Sequence, residues 1–102
     1  MSECSRTGEA AAIFTTHGAL DAATTVLAAR AAGHDAEANP LVRELLALGE
    51  LPTVLVMLVA VAACCAAWPT AADALDAPEW VGFAVAFVGS IVAAVNIVVV
   101  LA

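Results

Sequence analysis

Lysine and tyrosine are absent from these 102 residues, and Arg6, Arg30 and Arg43 are the only arginines. Neutralising nucleic-acid phosphates takes a basic patch, so the scarcity of cations argues against nucleic-acid binding. A polybasic attachment to anionic lipid lacks its residues for the same reason. Charge of either sign is rare: 13% of residues carry it, against about 25% in ordinary soluble domains. The three cysteines, Cys4, Cys64 and Cys65, show no CxxC or Cys/His spacing, so neither a disulfide framework nor a zinc site is expected. Adjacent helical positions point about 100° apart, which places Cys64 and Cys65 poorly for sharing a metal. They read as small apolar helix residues. Also missing are GxSxG, HExxH and a glycine-rich phosphate loop. No enzymatic activity and no cofactor is expected.

What the chain does have is apolar surface. It is 64% hydrophobic, with a mean hydropathy of +1.01. A soluble fold of this length leaves too much surface exposed to hide that content, and disorder requires low hydrophobicity. The expectation is one all-α domain: a multi-pass integral membrane helical bundle of the cell membrane, with the lipid bilayer as its first partner. Ten acidic residues against three basic ones give a net charge of −7. The acids lie mostly outside the apolar runs, among them Glu3, Glu9, Asp35, Glu50, Asp73 and Asp76, and read as a solvated surface. Acidic loops, absent lysine and abundant alanine resemble the composition of halophilic archaeal proteins.

Residues 1–9 form a short polar N-terminal tail, and residues 10–102 a single transmembrane helical domain. The first span is expected over 10–32; about 20 residues at 1.5 Å each cross the roughly 30 Å hydrocarbon core. It is unusually polar, with Thr15, Thr16, His17, Asp21, Thr24, Thr25 and Arg30 inside it. A cleaved signal peptide is the competing reading, but Asp21 would break its apolar region and the preceding tail is acidic. Arg30 is expected to snorkel to the interface. Asn39-Pro40 then starts a helix: Asn caps well, and Pro suits the first helical position because its missing N–H would lack a partner anyway. That helix, Pro40–Leu48, ends at Gly49, is too short to span, and should lie in the interface or cap the bundle. The second span is read as 51–68, ending at Trp68 with the indole at headgroup level and Pro69 after it. Asp76 and Glu79 have the spacing of a helix cap and its N3 acid. Trp80 then anchors a third span over 80–102. The count is three transmembrane helices plus one short interfacial helix. The arginine bias places the connection after the first span inside the cell, so the N-terminus faces out.

His17, Asp21, Thr24 and Thr25 recur at helical spacing and share one face of the first span. An aspartate at membrane depth costs at least about 2.5 kcal/mol on insertion scales, so it must face protein or water and find a partner. Asn96 on the third span is the best cross-helix candidate; Ser90 and Thr53 are weaker ones. Two readings stay open. The residues are either a polar seam that holds the bundle together, or a proton or cation site with Asp21 titrating and His17 as its relay. Small residues four apart, such as Ala86/Ser90 and Gly89/Ala93, allow close helix approach but are expected by chance in so alanine-rich a chain. The last helix, uniform in Val and Ile, is the most plausible oligomer face.

The run Asp21-x-x-Thr24-Thr25, then Gly33, then Glu37-x-Asn39-Pro40-Leu41-x-Arg43 resembles a small uncharacterised family of membrane proteins in archaea and bacteria. That family is marked by an Asp-x-x-Thr-Thr helix and a Glu-x-Asn-Pro turn. The resemblance covers residues 18–50 and implies a domain of unknown function, so no role is carried over. It marks Asp21, Thr24, Thr25, Glu37, Asn39 and Pro40. About 18 Å of helical rise separates Asp21 from Gly33, so contact between the marked turn and Asp21 is not expected. Two functions follow as expectations. One is a structural or interaction protein of the membrane, as a homo-oligomer or with a membrane-protein partner. The other is a subunit of a small proton- or cation-coupled transporter or channel.

Overall fold

A computed structural model describes residues 3–102, with side chains from Arg6 onward. Every regular element among them is helical. Helix α1 (Glu3–Ile13) runs into a π-helical segment (Phe14–Leu20) and then α2 (Asp21–Ala32) without leaving helical backbone. The three together form one N-terminal rod. A short 3-10 turn (His34–Ala36), α3 (Pro40–Leu48), α4 (Glu50–Ala74) and α5 (Val81–Leu101) follow.

The polar tail expected over residues 1–9 is helix from Glu3 onward; Met1 and Ser2 lie outside the described residues. The reason is tertiary. Arg6 and Glu9 are almost wholly buried, so the first turns have partners to fold against. The widened turn in mid-rod coincides with Thr15 and Thr16, whose hydroxyls donate to the carbonyls of Ala11 (2.9 Å) and Ala12 (3.0 Å). Side chains that bond back to the preceding turn compete with the regular ladder, and π segments are the usual accommodation of an extra residue in a helix.

The α3 boundaries fall where the caps put them. Asn39 Oδ1 accepts from the Leu41 N–H at 3.0 Å with Pro40 at the first position, and Gly49 ends the helix at φ 140°. Only glycine is comfortable there. The second expected span, 51–68, runs longer: α4 passes through Pro69 to Ala74. Proline removes one backbone hydrogen bond, but Asp73 beyond it is bonded to Arg6, which gives the extra turn a reason to persist. The Asp76–Glu79 cap does not form. Asp76 sits in a left-handed turn at φ 51°, and α5 begins at Val81 with no side-chain cap. Arg30 does not stand alone at a surface; it makes a bidentate pair with Glu50 at 2.6 and 2.7 Å, tying the end of the rod to the start of α4.

Among the described residues two helices, α4 and α5, are long and apolar enough to cross a membrane; the rod, expected as a third, is not one of them. Its polarity follows from its place. Both α4 and α5 pack on the rod and hardly on each other, so the rod is the inner element. The rod and α5 run parallel. Gly82 lies against Glu9, Gly89 against Thr16 and His17, and Asn96 against Thr24; the steps are seven and seven along α5 but seven and eight from Glu9 through Thr16 to Thr24, the extra residue falling in the π-helical segment. The buried face of α5 is Gly82, Ala86, Gly89 and Ala93, small residues that admit the rod's larger polar ones. A Cβ on Gly89 would stand 2.7 Å from Thr16 Oγ1. The molecule measures 43 × 24 × 18 Å, and its long axis is close to the roughly 40–45 Å of a bilayer with its headgroups.

Candidate functional site

Polar side chains collect at two stations along the rod. The first was not foreseen from the sequence. Arg6 Nε donates to Asp73 Oδ1 at 3.0 Å and its Nη1 to Glu9 Oε2 at 3.1 Å, while Nη2 reaches the Ala77 carbonyl. Trp68 Nε1 donates to the same Glu9 oxygen at 2.9 Å. Burial works against the Arg6 charge, and the carboxylates of Asp73 and Glu9 compensate it. Trp68 is thus fixed by a carboxylate. The available signal was spacing: positions 6, 9, 13 and 16 continue one helix face, all four buried.

The second station contains the residues marked in the sequence. Asp21 Oδ1 accepts from Thr25 Oγ1 at 3.2 Å and from Asn96 Nδ2 at 3.3 Å. The Asn96 amide also lies 3.0 Å from Thr24 Oγ1 and 3.3 Å from Thr25 Oγ1. Thr24 passes its own proton to the Leu20 carbonyl at 2.7 Å. The cross-helix partner expected for Asp21 is therefore in place. His17 is not hydrogen-bonded to Asp21: its Nε2 lies 2.8 Å from the Val85 carbonyl on α5. Ser90 bonds to Ala86 on its own helix and Thr53 to the Gly49 carbonyl, so neither reaches Asp21.

The short helix comes closer to this station than rise alone predicts. After Gly49, α4 runs back along α3, and Leu41, Leu45, Met57 and Ala60 enclose a groove of about 210 Å³ with His17 and Asp21. Glu37 lines a separate cavity of about 160 Å³ with Asn96. One Glu37 oxygen accepts from the Asn39 N–H at 3.1 Å, and Arg43 donates to the Glu37 backbone carbonyl at 3.2 Å. Asp21, Thr24, Thr25 and Glu37 thus gather around Asn96, while Asn39 and Pro40 shape the turn that brings Glu37 there. Among the described residues no group of three His, Cys, Asp or Glu side chains is placed to hold a metal ion. Chemically, the station offers carboxylate, hydroxyl and amide oxygens beside a histidine, suited to hydrogen bonding and to cations.

No curated protein and no solved structure matches this sequence. Residues 12–102 match a family described as a domain of unknown function, DUF5658. That match takes in the last two residues of α1 and every element after it, and the chain belongs to the DUF5658 family.

Proposed function

We propose that the chain is a multi-pass protein of the cell membrane in which the rod is a third spanning helix, and that its role is structural or one of interaction within the membrane, not enzymatic. One observation carries this reading. The rod's costly polar groups, Asp21, Thr24 and Thr25, are turned toward α5 and bonded to Asn96, while α5 leaves Phe83, Phe87, Ile91 and Val98 exposed along its opposite side. That is the arrangement a lipid solvent favours, since polar groups in hydrocarbon must be satisfied within the protein. The exposed stripe of α5 is also the face offered to a second copy or to a membrane partner. Helix α3, which packs against α4, is in this reading the short interfacial helix that caps the bundle. The arginine bias supports an N-terminus facing out. The test is alkaline carbonate extraction of membranes followed by mild solubilisation. Retention in the pellet and recovery as a defined oligomer or with a reproducible partner is the expected result. Release into the carbonate supernatant would overturn the membrane reading.

A second reading is favoured by the groove that His17 and Asp21 line together: a small proton- or cation-coupled transporter or channel subunit with Asp21 as the titrating group. Proton or cation flux into proteoliposomes across pH 5–9 discriminates the two. Flux that falls in Asp21→Asn and His17→Ala supports transport. Flux equal to that of empty vesicles in all three proteins removes it.

A further inference from the structure

The cavity beside Asn96 has a composition that the structural role leaves unused. Its volume is about 160 Å³, and its walls are mostly apolar, with Ala28, Ala29, Val95 and Val99 among them. Two polar side chains interrupt those walls, Glu37 from the turn before α3 and Asn96 from α5. Glu37 is half-buried, and one of its oxygens is taken by the Asn39 N–H. The other has no cation: Arg30 is committed to Glu50, Arg43 donates to the Glu37 backbone, and no ion pair to Glu37 forms among the described residues. The Asn96 nitrogen is committed to Asp21, Thr24 and Thr25. That leaves its carbonyl oxygen as an acceptor without a protein donor among the described residues. A carboxylate without a counter-ion and an amide oxygen without a protein donor thus line one surface cleft whose other walls are alanine, glycine and valine, a composition matched by a cation that also has donors and an apolar body.

We propose that this cavity is a binding site for a small primary ammonium compound, held by the Glu37 carboxylate and the Asn96 side-chain carbonyl with its alkyl part against the alanine and valine walls. An ammonium group has N–H donors for both oxygens, and charge-assisted hydrogen bonds are the strong kind. A hard metal ion would need six or more oxygen ligands or near-octahedral geometry, which two side chains among apolar walls do not supply. Size agrees: a cavity of roughly 150 Å³ accepts a molecule the size of benzene, which bounds the ligand at about six non-hydrogen atoms. The site joins the two marked motifs, since Asn96 bonds Asp21 on one side and faces Glu37 on the other. It requires neither transport nor oligomerisation.

The experiment is thermal unfolding of the purified protein in detergent, titrated with ethylammonium chloride and, separately, with sodium, magnesium and tetramethylammonium chloride at matched ionic strength. Ethylammonium should raise the midpoint with saturation, and the other three should not. Glu37→Gln keeps the acceptor for the Asn39 N–H and should weaken the apparent affinity at least tenfold. Ala29→Leu, which fills the cavity and leaves the charge, should abolish the saturating shift. Glu44→Gln, on the outer side of α3, should bind as the parent does. In a parallel arm, mixed micelles with an ethanolamine phospholipid distinguish sources: saturation by the free amine indicates a soluble ligand, and saturation by the lipid alone indicates a headgroup. No saturating shift in either arm, an equal shift with sodium or magnesium, or an unchanged shift in both Glu37→Gln and Ala29→Leu would overturn the proposal.

Discussion

Asn96 is the residue on which the polar contacts between the rod and α5 converge. Its amide meets Asp21, Thr24 and Thr25, three side chains from two turns of α2. Interhelical hydrogen bonds in membrane proteins average about 0.6 kcal/mol and reach about 1.7. Asn96→Leu is therefore expected to lower stability by about 1–2 kcal/mol, measured by denaturant unfolding in detergent. Asp21→Asn should change it much less, because the amide oxygen still accepts from Thr25. A loss with Asp21→Asn as large as that with Asn96→Leu would show that the carboxylate charge itself holds the helices. Two turns earlier on the same face of α5, Gly89 has no room to grow. A Cβ there would crowd Thr16 Oγ1 and the His17 ring. Gly89→Val should cost about 1–3 kcal/mol by overpacking, whereas Ser90→Ala, exposed one position on, should stay within about 0.5 kcal/mol. Unfolding midpoints of the pair check both.

At the scale of elements, the two ends of the rod are fastened differently. The far end is tied to α4 by Arg30–Glu50, an exposed pair, and exposed pairs contribute little. The near end is tied by Arg6, buried together with Glu9 and joined to Asp73 and Trp68. Breaking a buried network by removing one partner leaves an uncompensated charge. Glu9→Leu should therefore free the first turns of α1: amide protection over residues 3–13 falls in hydrogen exchange, while protection in α2 and α5 holds. Arg30→Ala should leave protection unchanged throughout. The spacing that built this anchor was visible in the sequence, but partners supplied from positions 68, 73 and 77 were not, because only packing brings α4 and its following turn beside α1. The short α3 shows the opposite case. Asn39, Pro40 and Gly49 are local signals, and local signals set its ends; the direction in which it folded was decided by α4 and the groove it closes.

For the whole molecule, the rod between two apolar helices predicts sides as well as contacts. The turn after the rod and the end of α4 lie at opposite ends of the bundle, since Arg30 meets Glu50 at one and Arg6 meets Asp73 at the other. In a chain with Cys4, Cys64 and Cys65 replaced by Ala, Ala36→Cys and Ala74→Cys should be labelled by an impermeant maleimide from opposite sides of the membrane. Labelling of both from one side would contradict a crossing by α4, the helix that separates the two positions.

Composition alone determined the class, an all-helical chain with too much apolar surface to bury, and local chemistry determined where α3 begins and ends. The Asp21–Asn96 pairing was also legible, because an acid among apolar residues must find a polar partner and Asn96 was the best one available. The tertiary structure decided what depends on residues remote in sequence. It made residues 3–9 helix instead of tail, carried α4 past Pro69, bonded His17 to the Val85 carbonyl and not to Asp21, and brought Glu37 to the same cleft as Asn96. It also gave meaning to the small residues of α5. Their repeat was read as chance, yet Gly82, Ala86, Gly89 and Ala93 are the surface on which the rod lies. In a chain this rich in alanine, spacing cannot distinguish a packing face from composition; only the neighbour that fills the space does so.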